Sequence, residues 1–145
     1  LSRSQRRQAL AEPLTPYQYD QTHILTVVLA YKLPRGFDVG LRFRYLTGNP
    51  TTAVASAYRF LPSGAYDAVA GTPYGIRLPA FHQLDLRIDK TFVFNRFRLG
   101  VFLDLQNVYN RRNTESLLYG GWQLTQSAPV AGLPIFPDLG VRADF

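Results

Sequence analysis

The sequence predicts an all-β fold, an antiparallel meander of five strands that does not close on itself. Three observations lead there. Apolar and polar residues alternate over five stretches, the period of a strand rather than of a helix. The connections between the stretches alternate short and long. The composition also supplies apolar surface. Of 145 residues 14% are aromatic, with nine Tyr and ten Phe. Charged residues make up 18%, below the roughly 25% of an average soluble domain.

The first stretch places Leu25, Val27, Leu29, Tyr31 and Leu33 on one face. The second places Phe37, Val39, Leu41, Phe43 and Tyr45 there, between Asp38, Gly40, Arg42 and Arg44. The third has Leu84, Leu86, Ile88, Phe92 and Phe94 against Gln83, Asp85, Arg87, Asp89 and Thr91. The fourth has Phe97, Leu99, Val101, Leu103 and Leu105 against Arg98, Gly100, Phe102, Asp104 and Gln106. The last has Leu139, Val141, Ala143 and Phe145 against Gly140, Arg142 and Asp144. The polar faces carry Lys32, Asp38, Arg42, Arg44, Asp85, Arg87, Asp89, Arg98, Asp104, Arg142 and Asp144, whereas the apolar faces carry Lys90 alone.

The turns agree with this parity. Pro34-Arg35-Gly36 has an odd length and joins apolar Leu33 to apolar Phe37. Asn95-Arg96 has an even length and swaps the odd and even positions, as the flanking Phe94 and Phe97 require. Registers set by these turns put Lys32 opposite Asp38 and Arg87 opposite Asp104, both of opposite sign. Thr47 to Phe81 and Tyr109 to Leu133 alternate weakly and are expected as long loops, as is Ser4 to Thr22 with Pro13 and Pro16.

Several classes are excluded. The absence of Cys rules out a disulfide scaffold and a thiolate metal site. No run approaches the roughly 18 apolar residues of a membrane-spanning helix. Without Met or a signal-like N-terminal segment, the chain is expected to be a fragment or a processed C-terminal part. The net charge of +6 does not imply nucleic acid, because the basic residues alternate with apolar ones or lie in loops, with no basic stripe.

A soluble β-sandwich also alternates. Three features point instead to a membrane barrel, with aromatic girdles and unequal turns. Tyr31, Phe37, Phe94 and Phe97 lie by the short turns and Tyr45 and Tyr109 towards the long loops; the turns are short on one rim and long on the other; and Phe145 ends the last strand in phase with the apolar face. Phe97 to Leu105 spans about 30 Å and, tilted by about 45°, rises about 21 Å, near the ~25 Å apolar band of such barrels. Lys90 is then expected to snorkel to the near interface. Five strands and a stub at Leu1–Arg3 cannot close, since the smallest membrane barrels have about eight strands. In lipid each unpaired edge group costs several kcal/mol, so the chain is expected to be the last part of a larger barrel.

The chain resembles the C-terminal barrel segment of TonB-dependent outer-membrane receptors. The stretches that carry the resemblance are Tyr19-Asp20-Gln21-Thr22-His23-Ile24-Leu25, Leu46-Thr47-Gly48-Asn49-Pro50, Phe81 through Lys90, and above all Asp104-Leu105-Gln106-Asn107-Val108-Tyr109-Asn110-Arg111-Arg112-Asn113. The final Gly140-Val141-Arg142-Ala143-Asp144-Phe145 looks like the terminal signal read by the barrel-assembly machinery, with Gly140, Ala143 and Phe145 at its key positions. Leu139 stands where that signal usually has a polar residue. The resemblance implies a Gram-negative outer-membrane location, a barrel of about 22 strands and a separate N-terminal plug. Neither the plug nor its motif for the TonB energy coupler is among these residues. It also implies import of a scarce nutrient such as an iron chelate, cobalamin, haem or glycan. The implied partners are the rest of the barrel, the plug, TonB through that plug, and outer-membrane lipid and lipopolysaccharide. A passive porin and a soluble β-sandwich binding module are the alternatives.

Candidate site residues follow. Arg42, Arg44, Asp85, Arg87, Asp89, Arg98 and Asp104 would face the lumen, where they either line a substrate path or pair with one another and with the plug; opposite signs across strands favour pairing. Tyr58, Tyr66, Tyr74, Tyr119 and Trp122 are loop aromatics that either stack on a ligand or hold the loops together, the second being favoured. His23 and His82 lack partners at metal-ligand spacing and are expected to be hydrogen-bonded at strand ends. No catalytic motif, phosphate loop or cofactor signature is found, so an enzyme is not expected. Arg3, Arg6, Arg7, Arg111 and Arg112 suit lipopolysaccharide phosphates or counter-charges in a plug.

Overall fold

The computed structural model describes residues 2–7, 10, 13–59, 63–121, 124 and 126–145. The described residues contain strands and turns and no helix. The strands are β1 (Gln5–Arg6), β2 (Thr15–Pro16), β3 (Ile24–Leu33), β4 (Phe37–Leu46), β5 (Pro50–Thr51), β6 (Val54–Arg59) and β7 (Tyr66–Ala70). They continue as β8 (Ile76–Arg77), β9 (Phe81–Val93), β10 (Arg98–Gln106), β11 (Thr114–Gly120), β12 (Gln126–Ala131) and β13 (Phe136–Asp144). The chain divides into two compact units.

One unit (Leu25–Tyr45, His82–Arg112, Leu133–Phe145) is built on a five-stranded sheet in the order β13-β10-β9-β4-β3. This is the five-strand meander read from the alternation. The sheet is open, with β3 and β13 at its edges. Its registers keep the faces in phase. Val101 stands opposite Lys90 on β9 and Val141 on β13, and Leu103 stands between Ile88 and Leu139. On the other face Asp104 is opposite Arg87, as the two-residue turn requires.

The turns are built as their residues allow. Arg35 and Gly36 have φ of 67° and 78°, the left-handed region in which glycine is unstrained. Thr91 N–H donates to the Gly36 carbonyl at 2.8 Å, and a Cβ on Gly36 would lie 2.6 Å from the Thr91 carbonyl oxygen. Phe94 N–H bonds the Phe97 carbonyl across Asn95-Arg96 at 3.0 Å. β13 begins at Phe136, earlier than the alternation from Leu139 marked, and includes Pro137. A proline is tolerated there because β13 is an edge strand.

The other unit (Leu1–Ile24, Leu46–Phe81, Asn113–Gly132) holds four two-stranded sheets, β1-β2, β5-β8, β6-β7 and β11-β12. The long loops of the sequence reading are therefore partly strand. The signal was hidden by β-bulges between Val54 and Ser56 and between Thr114 and Ser116. One extra residue inverts the parity and cancels a period-two pattern over so short a stretch. Of the stub at Leu1–Arg3, Leu1 lies outside the described residues. Ser2 and Arg3 are not strand, although Ser2 N–H bonds the Thr22 carbonyl at 3.0 Å.

Burial separates this chain from an ordinary globular domain. Among the described residues the only buried hydrophobic side chain is Leu78, at 9% exposure. The apolar face of the large sheet is open: Leu25, Leu29, Tyr31, Phe37, Tyr45, Phe92, Leu139 and Val141 are all exposed, and so is Phe145 at 101%. A large apolar side chain gains roughly 1.5–3 kcal/mol when fully buried, and none of these side chains obtains all of it from its own chain. No helix of the described residues is long and apolar enough to cross a membrane, a test that does not address strands.

Candidate functional site

The chemistry of the large sheet is gathered on its polar face. Asp85 on β9 is its best-connected acid, 5% exposed. Its Oδ2 accepts from Arg42 Nε at 3.0 Å and Nη2 at 2.9 Å, with Arg44 Nη2 at 3.7 Å. Its Oδ1 accepts from Gln83 Nε2 at 2.5 Å and from the Asn107 backbone N–H at 3.1 Å. Strand alternation explains the set: Gln83 and Asp85 share a face two residues apart on β9, and Arg42 and Arg44 do so on neighbouring β4. A carboxylate accepting these four hydrogen bonds has both oxygens engaged.

Towards the short turns lies a second arrangement. Arg87 makes a bidentate pair with Asp89, both bonds 2.9 Å, and its Nη1 is 3.7 Å from Asp104 Oδ2. Its guanidinium lies over the Phe102 ring at 4.4 Å. Asp104 also stands opposite Asp138, and Arg87 offsets that like-charge pairing. Arg142 pairs with Asp144 at 3.1 Å. A groove of ≈ 450 Å³ runs here, lined by Asp38, Asp89, Arg98, Phe102, Arg142 and Asp144 among others. The lumen candidates thus fall into an Asp85 group with Arg42 and Arg44, an Arg87 group with Asp89 and Asp104, and Arg98, which makes no ion pair among the described residues.

The loop aromatics are not equally presented. Tyr58 on β6 is exposed, whereas Tyr66 on β7, Tyr74 before β8 and Tyr119 on β11 are half-buried. Tyr74 has a φ of 53°, and its N–H donates to Thr52 Oγ1 at 2.9 Å. Trp122 lies outside the described residues. His23 Nδ1 is 3.2 Å from Thr47 Oγ1, and His82 Nδ1 is 2.7 Å from Tyr109 Oη. Among the described residues no three of His, Cys, Asp and Glu cluster to hold a metal ion.

Gly140, Ala143 and Phe145, expected from the resemblance to form a terminal signal, lie in or beside β13. Gly140 stands opposite Phe102, and a Cβ there would run into the Phe102 ring. Glycine lets that aromatic lie across the strand. Ala143 faces Leu99. The Phe145 ring is 6.0 Å from that of Phe97, which stacks on Phe94 at 4.6 Å, so three phenylalanines line one rim of the sheet.

Two polar knots escaped the sequence reading. Asn107, 1% exposed with a φ of 55°, donates to the carbonyls of Arg111 (2.9 Å) and Leu133 (3.0 Å) and accepts from Arg111 N–H (3.0 Å). Asn110, φ 52°, accepts from Ile135 N–H at 3.0 Å. Together they fold the chain back after β10. The paired asparagines, a residue type tolerant of the left-handed region, were the available signal. The second knot lies in the loop unit. Asp20, 3% exposed, accepts from Ser4 N–H at 2.6 Å and from Arg77, whose Nη1 also donates to the Asp20 and Gly48 carbonyls. The Ser4 hydrogen bond and the Arg77 guanidinium hold this carboxyl below its ordinary value of 3.8. No protein-family model, curated protein or solved structure matches the chain.

Proposed function

We propose that this chain is a barrel segment of an outer-membrane active transporter of the TonB-dependent class, importing a scarce nutrient across a Gram-negative envelope. The observation that carries the reading is the open apolar face. On the apolar face of the sheet the large side chains of the edge strands β3 and β13 are exposed and those of β9 and β10 largely half-buried, while Leu78 is the only buried hydrophobic residue described. Lipid acyl chains are the environment that removes this cost. The edges β3 and β13 require neighbouring strands in that environment, since unpaired backbone groups in lipid cost several kcal/mol each. The polar face then turns inward, with its charges neutralised by one another. Gly140, Ala143 and Phe145 serve assembly. A soluble sandwich would instead need a second sheet over the apolar face.

The experiment is nutrient uptake by cells expressing the complete reading frame, with and without an intact TonB coupler. Uptake that stops when the coupler is deleted supports active transport. Uptake that continues replaces it with a passive channel, and a product that partitions into buffer without detergent removes both.

A further inference from the structure

We propose that Lys90 and Arg35 form a binding site for the phosphate of an anionic glycerophospholipid on the short-turn side of the bilayer. The inference rests on the membrane reading and adds a specific lipid contact to it. Lys90 is the only charged residue on the apolar positions of the five strands read from the sequence. It stands opposite Val101. Its ammonium turns along the apolar face to the first short turn, where it donates to the Arg35 carbonyl. It lies 4.1 Å from the Phe37 ring centroid and 5.2 Å from that of Phe92.

These contacts fix the cation without neutralising it. An ammonium has three N–H donors, one of which goes to Arg35, and Lys90 makes no ion pair among the described residues. Its sequence neighbour Asp89 is on the opposite face, engaged by Arg87. Simple snorkelling needs only that a lysine reach water. Here two ring faces and a carbonyl hold it at a turn whose exposed Arg35 carries a second positive charge and likewise has no ion pair described. One held cation, with a second on the same turn, at the edge of an apolar surface matches an anion carried on acyl chains. The phosphate of phosphatidylglycerol has that form.

The test uses the full-length protein in neutral detergent, with native mass spectrometry of retained lipid. Phosphatidylglycerol, diacylglycerol of the same chains and acyl-free glycerophosphoglycerol are compared. Phosphatidylglycerol should be retained over diacylglycerol, and each removed cation (Lys90→Gln, Arg35→Gln) should lower retention roughly fivefold. Lys90→Arg should restore it, which separates loss of charge from loss of fold. Equal retention by the wild type and the double variant overturns the proposal, as does equal retention of the acyl-free phosphate. A product that needs no detergent and enters no vesicle overturns the membrane reading and this site with it. Insertion into vesicles with retention unchanged in the variants overturns only the site.

Discussion

The two faces of the five-stranded sheet are made by the same strands, yet they solve opposite problems. On the polar face every acid of the Asp85 and Arg87 groups meets a cation, and Asp85 is nearly sealed from solvent. On the other face Leu25, Leu29, Tyr31, Leu139 and Val141, all on the edge strands, stay exposed, and the side chains between them on β9 and β10 are at most half-buried. On the proposed reading, a sheet with its charges paired on one side and apolar side chains open on the other belongs in a solvent other than water. Burial of apolar surface drives folding in water; among the described residues the nearly sealed side chains are instead polar, Asp20, Asp85, Asn107 and Asn113.

The largest effect expected from breaking this contrast is on the apolar face. Leu103→Arg puts a charge between Ile88 and Leu139, mid-strand, and should cost about 2–4 kcal/mol of folding free energy in lipid. Gln106→Arg on the polar face should cost little. Urea titration of the full-length protein in vesicles measures both, and equal costs would mean that the faces do not differ in environment. On the polar face Asp85→Ala removes the acceptor of Arg42 and leaves the buried Asn107 N–H without the carboxylate it donates to, with an expected loss of about 1–3 kcal/mol. The same titration reads it, and a neutral result would show that the group contributes nothing net. Gly140→Val forces a side chain into the Phe102 ring, so a loss of about 1–3 kcal/mol is expected from overpacking; Phe102→Ala in the same chain should recover part of it.

The smallest effect concerns the loop unit and its Asp20 clamp. The carboxyl is held below its ordinary value of 3.8, so its contribution is fully present above that pH and is lost as pH falls through the lower folded value. Protease resistance of the loops should therefore be flat from neutral pH to about pH 4 in the wild type. Asp20→Asn should weaken that resistance across the same range. Identical profiles for the two proteins would remove the clamp from the account.

How much of this was legible in the sequence depended on the range of the interaction. The five strands, their faces, the parity of Pro34-Arg35-Gly36 and Asn95-Arg96, and the pairing of Arg87 with Asp104 follow from period two and turn length, which are local. The hairpins β6-β7 and β11-β12 were missed because a single bulged residue erases a period-two signal in a strand of six or seven residues. The Asp85 group was seen only as separate charges, since its partners lie 43 and 22 residues away. The role of Asn107 is not legible in the sequence, because a buried asparagine is recognised by the carbonyls it meets, and one of those belongs to distant Leu133. Lys90 was placed correctly by parity, while its two rings became apparent only when β4 and β9 were side by side.

The central claim is that one face of this sheet meets lipid and the other meets water or protein. It is tested most directly by spin labels placed singly at each residue from 97 to 106 in the full-length protein reconstituted in vesicles. This chain contains no native cysteine to compete for the label. Collision rates with oxygen and with a water-soluble nickel chelate are then compared along β10. The account predicts strict alternation, with labels at Leu99, Val101 and Leu103 favouring oxygen and those at Gly100, Phe102 and Asp104 shielded from the lipid-dissolved probe. Odd-numbered positions open to the nickel chelate, or no alternation at all, would contradict it.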